Sequence, residues 1–178
     1  MAKKTFTLYK SLIMETVKNE THISAHVARA SDKGATELAY QEEAGDETFH
    51  TRKLERAMYA SLDKIKAEII GYLDTTASSN NVEMNIADDT ITIMFDLSSR
   101  FNEAYLTPLA DLISKFVEDN MLFLWWTPIN PGTAKNYADH VELDRQSILK
   151  CFIKNAPQTS DKSYADVKGG STQTPPGQ

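Results

Sequence analysis

The chain has 178 residues, of which 41% are hydrophobic and 25% are charged, so it is long enough for one well-buried core and ordinary for a globular protein. Its 19 basic and 25 acidic side chains give a formal charge of -6, which argues against a protein that binds nucleic acid by neutralising many phosphates. A single cysteine, Cys151, excludes an intramolecular disulfide, and the longest apolar run, residues 121–126, is far below the roughly 20 residues that cross a bilayer. We therefore expect one domain held together by burial, made in a reducing cytoplasm and not inserted in a membrane.

The first part of the chain predicts helices. Apolar residues between positions 8 and 27 recur mostly at intervals of three, four or six, which indicates a helix broken near residues 19–24. Residues 35–44 are compatible with a second, short helix. The pattern is strongest over residues 51–73, which predict a long amphipathic helix. Its apolar face consists of Leu54, Met58, Leu62, Ile65, Ile69 and Leu73.

A change of period over residues 82–97 predicts a β-hairpin. Apolar and polar residues alternate on both sides of Asp88 and Asp89, which supply the turn. The alternating apolar residues are Val82, Met84, Ile86, Ile91, Ile93 and Phe95. An isolated two-stranded ribbon is marginal in water, so this apolar face must lie on a helix or join strands from a neighbouring subunit. All of these residues except Ile86 are candidate interface residues.

Two more helices are predicted after the hairpin. Residues 102–126 carry apolar side chains on more than one face, which indicates a helix buried on several sides, with Thr107 as its N-cap. After a break that contains two prolines, a last helix is expected from Thr133 to about Lys154. Arg145 falls within the apolar stripe of this helix. It is either paired across a helix contact or, as we favour, placed where the stripe meets solvent.

Two adjacent tryptophans, Trp125 and Trp126, are the most unusual feature of the sequence. Neighbouring residues on a helix diverge by about 100°, so at most one of them can face the same core as Phe116. The other is explained either by a subunit interface, where tryptophan is enriched, or by a role in capping the core under the proline loop that follows. Both tryptophans are candidate interface residues.

No motif in the sequence predicts catalysis or the binding of a cofactor or metal. His22 and His26 have the spacing of a metal-binding pair on a helix, but the accompanying glutamate is missing, so we interpret them as helix surface. His140 and Cys151 are separated by about 16 Å along one predicted helix, which is too far for a catalytic pair. The two aspartates of the hairpin turn point to opposite sides, and no phosphate-binding glycine motif is present. We therefore predict a protein that is not an enzyme and uses no cofactor or metal.

The composition of the chain changes after Pro157. Residues 158–178 consist mainly of Ser, Thr, Gln, Lys, Asp, Gly and Pro, a mixture that cannot build a core. We therefore expect a helical domain over residues 1–157, with the hairpin near residues 82–97, and a polar C-terminal arm. The predicted fold class is mainly α: a helical bundle with one projecting β-hairpin and an extended C-terminal arm.

Four segments carry a resemblance to a known family: residues 15–24, 95–102 and 151–157, and the pair Trp125-Trp126. Over roughly residues 3–157 the chain resembles head-tail connector proteins (adaptor, head-completion or neck-ring proteins) of phages and prophages of gut anaerobes. The resemblance implies a virion structural protein, made in the host cytoplasm, that forms a homo-oligomeric ring in the neck between portal and tail proteins. DNA passes through such a ring without specific binding, and acidic side chains lower its friction with phosphates. The alternatives are a tail-terminator or tail-completion protein, or a small non-virion intracellular regulator.

Overall fold

The computed structural model describes residues 2–31, 44, 48–72, 84–86, 89–97 and 103–153. In chain order these residues form β1 (Ala2–Tyr9), α1 (Lys10–Ser31), α2 (Thr48–Ile69), β2 (Met84–Ile86), β3 (Thr90–Leu97), α3 (Leu106–Trp126) and α4 (Pro131–Ile153). Short 3-10 turns follow α2 and precede α3. The fold is mainly helical with one β-hairpin, as predicted. The predicted arm and, apart from Ala44, the predicted short helix lie outside the described residues.

α3 lies at the centre of the fold. The other three helices and β1 all pack against it, because apolar side chains project from several of its faces. Its buried apolar residues are Leu109, Ile113, Phe116, Val117, Met121, Leu122, Trp125 and Trp126. The prediction of a helix buried on several sides is therefore confirmed. The prediction of Thr107 as its N-cap is wrong, because the helix begins at Leu106. The residue at the N-cap position is Tyr105, whose side chain makes no capping hydrogen bond.

α2 is the predicted amphipathic helix, and its apolar face packs on α3. Leu54, Met58, Leu62, Ile65 and Ile69 are all buried, whereas Leu73 lies outside the described residues. A polar bridge crosses this contact. The Asn120 Nδ2 donates to the Ser61 Oγ at 2.9 Å, and the Asn120 Oδ1 accepts from the Lys64 Nζ at 2.9 Å. These bonds satisfy polar groups that would otherwise be costly to bury between two helices.

The hairpin is part of a three-stranded antiparallel sheet with the order β1-β3-β2. β1, which the sequence analysis did not predict as a strand, pairs with β3 along its whole length. Ile91, Ile93 and Phe95 of β3 are fully buried, and the Phe6 ring of β1 lies 5.3 Å from the Phe95 ring, centroid to centroid. The inner face of the hairpin is therefore covered within the chain itself and needs no strand from a neighbouring subunit.

α1 is one unbroken helix, so the predicted break near residues 19–24 is wrong. The misreading comes from Thr21, a polar residue at a fully buried position in the stripe that faces the core. Its hydroxyl donates to the Lys18 carbonyl at 2.8 Å and accepts from the Ala44 N–H at 3.2 Å. These two hydrogen bonds satisfy the hydroxyl, so it is buried without an unpaired polar group. The helix also begins later than predicted, because Leu8 belongs to β1.

The hairpin turn is tied to the start of α1. The Asp89 carboxylate accepts hydrogen bonds from the Ser11 N–H and the Ser11 Oγ, both at 2.8 Å, and the Asp89 carbonyl accepts from the Lys10 N–H at 2.8 Å. A negative charge at a helix N-terminus is stabilised by unpaired N–H groups and by the helix dipole. This aspartate therefore fixes the sheet to the first helix as well as forming the turn.

α4 begins close to the predicted residue. Pro131 occupies its first position, where a missing N–H is harmless, and the Asn130 Oδ1 accepts from the Thr133 N–H at 3.2 Å as a side-chain cap. Arg145 combines both alternatives, because its side chain is 30% exposed and also pairs with a second helix. Its guanidinium bonds Glu142 on the same helix at 2.8 and 2.9 Å and reaches Glu68 of α2 at 3.2 Å, so it is paired across a helix contact.

Candidate functional site

The adjacent tryptophans belong to the core of the single chain. Trp125 and Trp126 are 1% and 2% exposed, so the core-capping alternative is the one that the structure supports. The Lys53 Nζ lies 4.0 Å from the centre of the Trp125 ring, and the His50 ring meets that indole edge-on at 5.4 Å. Neither indole presents an open surface to a partner, and their assignment as interface residues is corrected accordingly.

The candidate interface residues of the hairpin divide into two groups. Ile91, Ile93 and Phe95 are fully buried between the sheet and the helices, so they too are core residues rather than open contact points. Met84 lies in β2, and Val82 lies outside the described residues. The physical reason for the correction is that the apolar face of the sheet packs on the helices of the same chain, as shown by the Phe95 ring, which lies 5.6 Å from the Phe152 ring of α4.

A polar cleft of about 490 Å³ opens between α1, α3 and α4. We call it the acidic cleft and define it by Glu20, Glu118, Asp119, Tyr137 and His140, which line it. The Tyr137 hydroxyl of α4 donates to the Glu20 carboxylate of α1 at 3.1 Å. Burial raises the pKa of Tyr137 to about 12, so the phenol remains a neutral donor. Burial also raises the pKa of Glu118, whose carboxylate accepts from the Ser114 hydroxyl at 3.0 Å.

Two carboxyl groups meet at the base of the acidic cleft. Asp119 and Asp144 are 8% and 5% exposed, and one oxygen of each is buried with no hydrogen-bond donor among the described residues. Burial, and then the hydrogen bond and like charge of Asp144, raise the pKa of Asp119 to about 6. A carboxylate can only accept, so the two oxygens satisfy each other only when one carboxyl group carries a proton.

The cations near this carboxyl pair do not neutralise the acidic cleft. The Lys115 Nζ lies 3.6 Å from the Asp144 Oδ1, and the His140 Nδ1 lies 4.0 Å from the Asp119 Oδ2. Both cationic side chains are more than half exposed. Carboxylates from two helices, with hydrogen-bonding groups beside them, favour a bound ammonium or guanidinium group.

The solvent-facing side of α2 has the opposite charge. We call it the basic stripe and define it by Phe49, Arg52, Lys53, Arg56 and Tyr59. Phe49 is 72% and Tyr59 41% exposed, and Arg52 and Arg56 are exposed beside them. None of the three cations forms an ion pair with a carboxylate in the part of the chain that the structure describes.

A shallow groove of about 250 Å³ runs beside the basic stripe. Lys53 and Arg56 line it from α2, and Leu124 and Trp125 line it from α3. Burial against α3 lowers the pKa of Lys53. The groove thus combines an apolar floor with two cationic rims, which suits an acidic segment that carries an apolar side chain.

The central part of the sheet's outer face is uncharged, and at one end of the same face the register places Lys3 of β1 opposite Asp96 of β3. The central part carries Thr5, Thr7, Tyr9, Thr90, Thr92 and Met94, whose partners across β1 and β3 are set by the register. β1 is an edge strand, so one side of its backbone has no partner strand within the sheet. The uncharged part of this edge strand, residues 5–9, is a surface suited to strand addition by another chain.

The residues first considered for chemistry are not brought together. His22 is exposed, the His26 side chain is outside the described part, and Cys151 is buried while His140 faces the acidic cleft. Within the described ranges, no group of three or more His, Cys, Asp and Glu is placed to hold a metal ion, and no helix is long and apolar enough to cross a membrane. Comparisons with protein-family models, curated proteins and solved structures gave no match.

Proposed function

We propose that the protein is a virion structural protein, a ring-forming head-tail connector subunit that joins portal and tail proteins in the neck. The proposal starts from the resemblance of residues 15–24, 95–102 and 151–157 to connector proteins of phages and prophages. Its role is mechanical, without enzymatic activity or a cofactor. Copies of the chain associate into a homo-oligomeric ring, and DNA passes through it without specific binding.

The edge of β1 is the observation that supports this proposal best. An edge strand exposes unpaired N–H and C=O groups, and monomeric proteins usually protect such an edge with charges, proline or a bulge. β1 carries two lysines, Lys3 and Lys4, at its start, but residues 5–9 contain no charged residue and no proline, so this part of the edge is open to pairing. A strand or loop from a neighbouring subunit that pairs with this edge satisfies the backbone groups and covers the uncharged face.

The charge of the chain is compatible with a ring that conducts DNA. A formal charge of -6 per subunit, repeated around a closed ring, repels phosphate and disfavours tight non-specific binding. The basic residues of the stripe on α2 are few and clustered, so they do not change the sign of the whole molecule.

Size-exclusion chromatography with light scattering, followed by negative-stain imaging with the cognate portal, tests the proposal. We expect a closed ring, alone or on the portal. A strict monomer that binds neither portal nor tail contradicts the proposal. A ring that binds the tail tube and ignores the portal supports the tail-terminator or tail-completion alternative instead.

A matched pair of variants tests the contribution of the β1 edge. Thr5→Lys/Thr7→Lys places two charges on the outer face of the sheet, where a neighbouring chain would have to bury them, so we expect ring formation to be lost. Asn19→Lys adds a charge on exposed α1 and serves as the control, with assembly unchanged. Equal assembly of both variants rules out this edge as the subunit contact.

A further inference from the structure

We infer that the acidic cleft of one subunit receives the basic stripe of the next, in a head-to-tail contact between copies of this chain. The inference rests on the proposed function, because it assigns a second contact, besides the β1 edge, between neighbouring subunits of the ring. It commits to a second copy as the occupant of both surfaces, on the basis of their opposite charge and their placement on the molecule.

The acidic cleft holds more carboxyl groups than cations, and its two cationic residues, Lys115 and His140, have side chains that are more than half exposed. Asp119 lines the cleft and is 8% exposed, and its Oδ2 has no hydrogen-bond donor among the described residues, the His140 Nδ1 being 4.0 Å away. Glu20 and Glu118 add two carboxylates from facing helices. Lys115, the nearest lysine, points its Nζ at Asp144 instead. An entering guanidinium or ammonium group supplies the missing donors and separates the like charges.

The basic stripe lacks the matching anions. Arg52, Lys53 and Arg56 lie on two successive turns of one face of α2 and have no carboxylate partner in the described structure. Phe49 and Tyr59 flank them, so the surface pairs apolar area with fixed charge. Aromatic and arginine side chains are the residues most enriched where protein contacts are strongest.

The two surfaces cannot satisfy each other within one chain. Leu122 lines the acidic cleft and Leu124 lines the groove beside the basic stripe. The cleft opens where α3 meets α1 and α4, whereas the groove lies where α3 meets α2, so the two surfaces lie against different neighbours of α3. Complementary patches at different places on one molecule produce a heterologous contact, and repetition of such a contact closes into a ring when the rotation per subunit allows it.

Charge exchange between two variants tests this contact. The stripe variant, Arg52→Glu/Arg56→Glu, carries acidic groups on both surfaces, and the cleft variant, Glu20→Lys/Glu118→Lys, carries basic groups on both. We expect each variant alone to associate at least about tenfold more weakly than the native chain, because like charges meet at every contact. An equimolar mixture restores both pairings, so we expect it to assemble into rings in which the variants alternate.

Control measurements separate misfolding from lost contact. Circular dichroism and thermal melts establish that each variant is folded, and Lys135→Glu/Lys150→Glu makes the same change of net charge as the stripe variant on exposed parts of α4 outside the cleft. This control is expected to assemble like the native chain. The native contact is also expected to weaken between low and high salt, since exposed ion pairs are screened.

The outcomes distinguish this inference from the function on which it rests. Rings of the native chain together with rings of each variant alone overturn the head-to-tail contact and leave the connector proposal standing. Loss of assembly in the stripe variant alone, without rescue by the cleft variant, overturns the contact and assigns the stripe to a different acidic partner. A native chain that stays monomeric and ignores portal and tail overturns the proposed function itself.

Discussion

Asp119 and Asp144 form a carboxyl pair where α3 packs on α4, and the pair ties the stability of the fold to pH. An unfolded aspartate titrates near 3.9, whereas the folded state raises the pKa of Asp119 to about 6. The folded protein therefore holds this proton more tightly than the unfolded chain does. The resulting stabilisation is complete below pH 4 and is lost as the pH rises through 6. Lys115 and Glu118 of α3, with His140 of α4, face the same pair.

Asp119→Asn is expected to stabilise the protein at pH 7.5 and to leave its stability nearly unchanged at pH 4. The amide resembles the protonated carboxyl group and donates to Asp144, so it removes the charge that burial disfavours. We expect a gain of about 1–3 kcal/mol in the free energy of unfolding at the higher pH, measured by urea denaturation. Asp111→Asn, on the exposed side of α3, is the control. An equal effect of Asp119→Asn on the free energy of unfolding at both pH values contradicts a raised pKa of Asp119 in the folded protein.

Trp126→Ala is expected to destabilise the monomer by about 3–5 kcal/mol, because the indole is 2% exposed and its removal leaves a cavity at the end of α3. Trp126→Phe is the matched variant. The Trp126 Nε1 has no hydrogen-bond partner in the described residues, so phenylalanine removes an unsatisfied donor while keeping most of the apolar volume. Chemical denaturation is expected to give a much higher free energy of unfolding for Trp126→Phe than for Trp126→Ala. A stable alanine variant that only fails to assemble restores the interface interpretation.

At the scale of the elements, the helices were predictable and β1 was not. The face of α2 from Leu54 to Ile69 shows a helical period because most of the residues that pack on α3 are apolar. The residues of β3 alternate for the same reason, since those that face the core are apolar. β1 has the strand pattern Thr5, Phe6, Thr7, Leu8, but its partner lies more than 80 residues away along the chain, beyond any local pattern. α1 was misread as broken because a hydrogen-bonded threonine replaces an apolar residue in its core stripe.

Phe6→Ala tests the docking of β1 at this scale. Phe6 faces inward and packs on Phe95, whereas Thr7 faces outward on the same strand. We expect Phe6→Ala to lower the free energy of unfolding by about 2–4 kcal/mol. This loss is smaller than for a fully buried phenylalanine, because Phe6 is only partly buried. Thr7→Ala is expected to change it by less than about 0.5 kcal/mol. Hydrogen exchange of β3 amides provides the second measurement, with faster exchange expected only for Phe6→Ala. Equal stability of the two variants contradicts the packing of β1 on the core.

At the scale of the whole molecule, the net charge of -6 is unevenly distributed, with acidic and basic residues on different surfaces. The acidic cleft collects carboxylates from α1 and α3 beside α4, and the basic stripe gathers its cations on α2. A local signal for the cleft exists, because Lys115, Glu118, Asp119 and Leu122 share one face of an otherwise apolar helix. The partners Glu20 and Tyr137 come from helices distant in sequence, so only the tertiary fold brings them together.

The C-terminal boundary of the folded core yields the last prediction. The Phe152 ring stacks on Tyr72 at 4.1 Å and meets Phe95 of the sheet at 5.6 Å, so α4 closes the core close to its last residue. Deletion of residues 158–178 is therefore expected to change the free energy of unfolding by less than about 1 kcal/mol. Truncation after Lys150, which also removes Phe152, is expected to cost about 3–5 kcal/mol. Thermal and urea unfolding of the two truncated chains compare them directly, and a large loss in the shorter deletion contradicts a core that is complete before the arm.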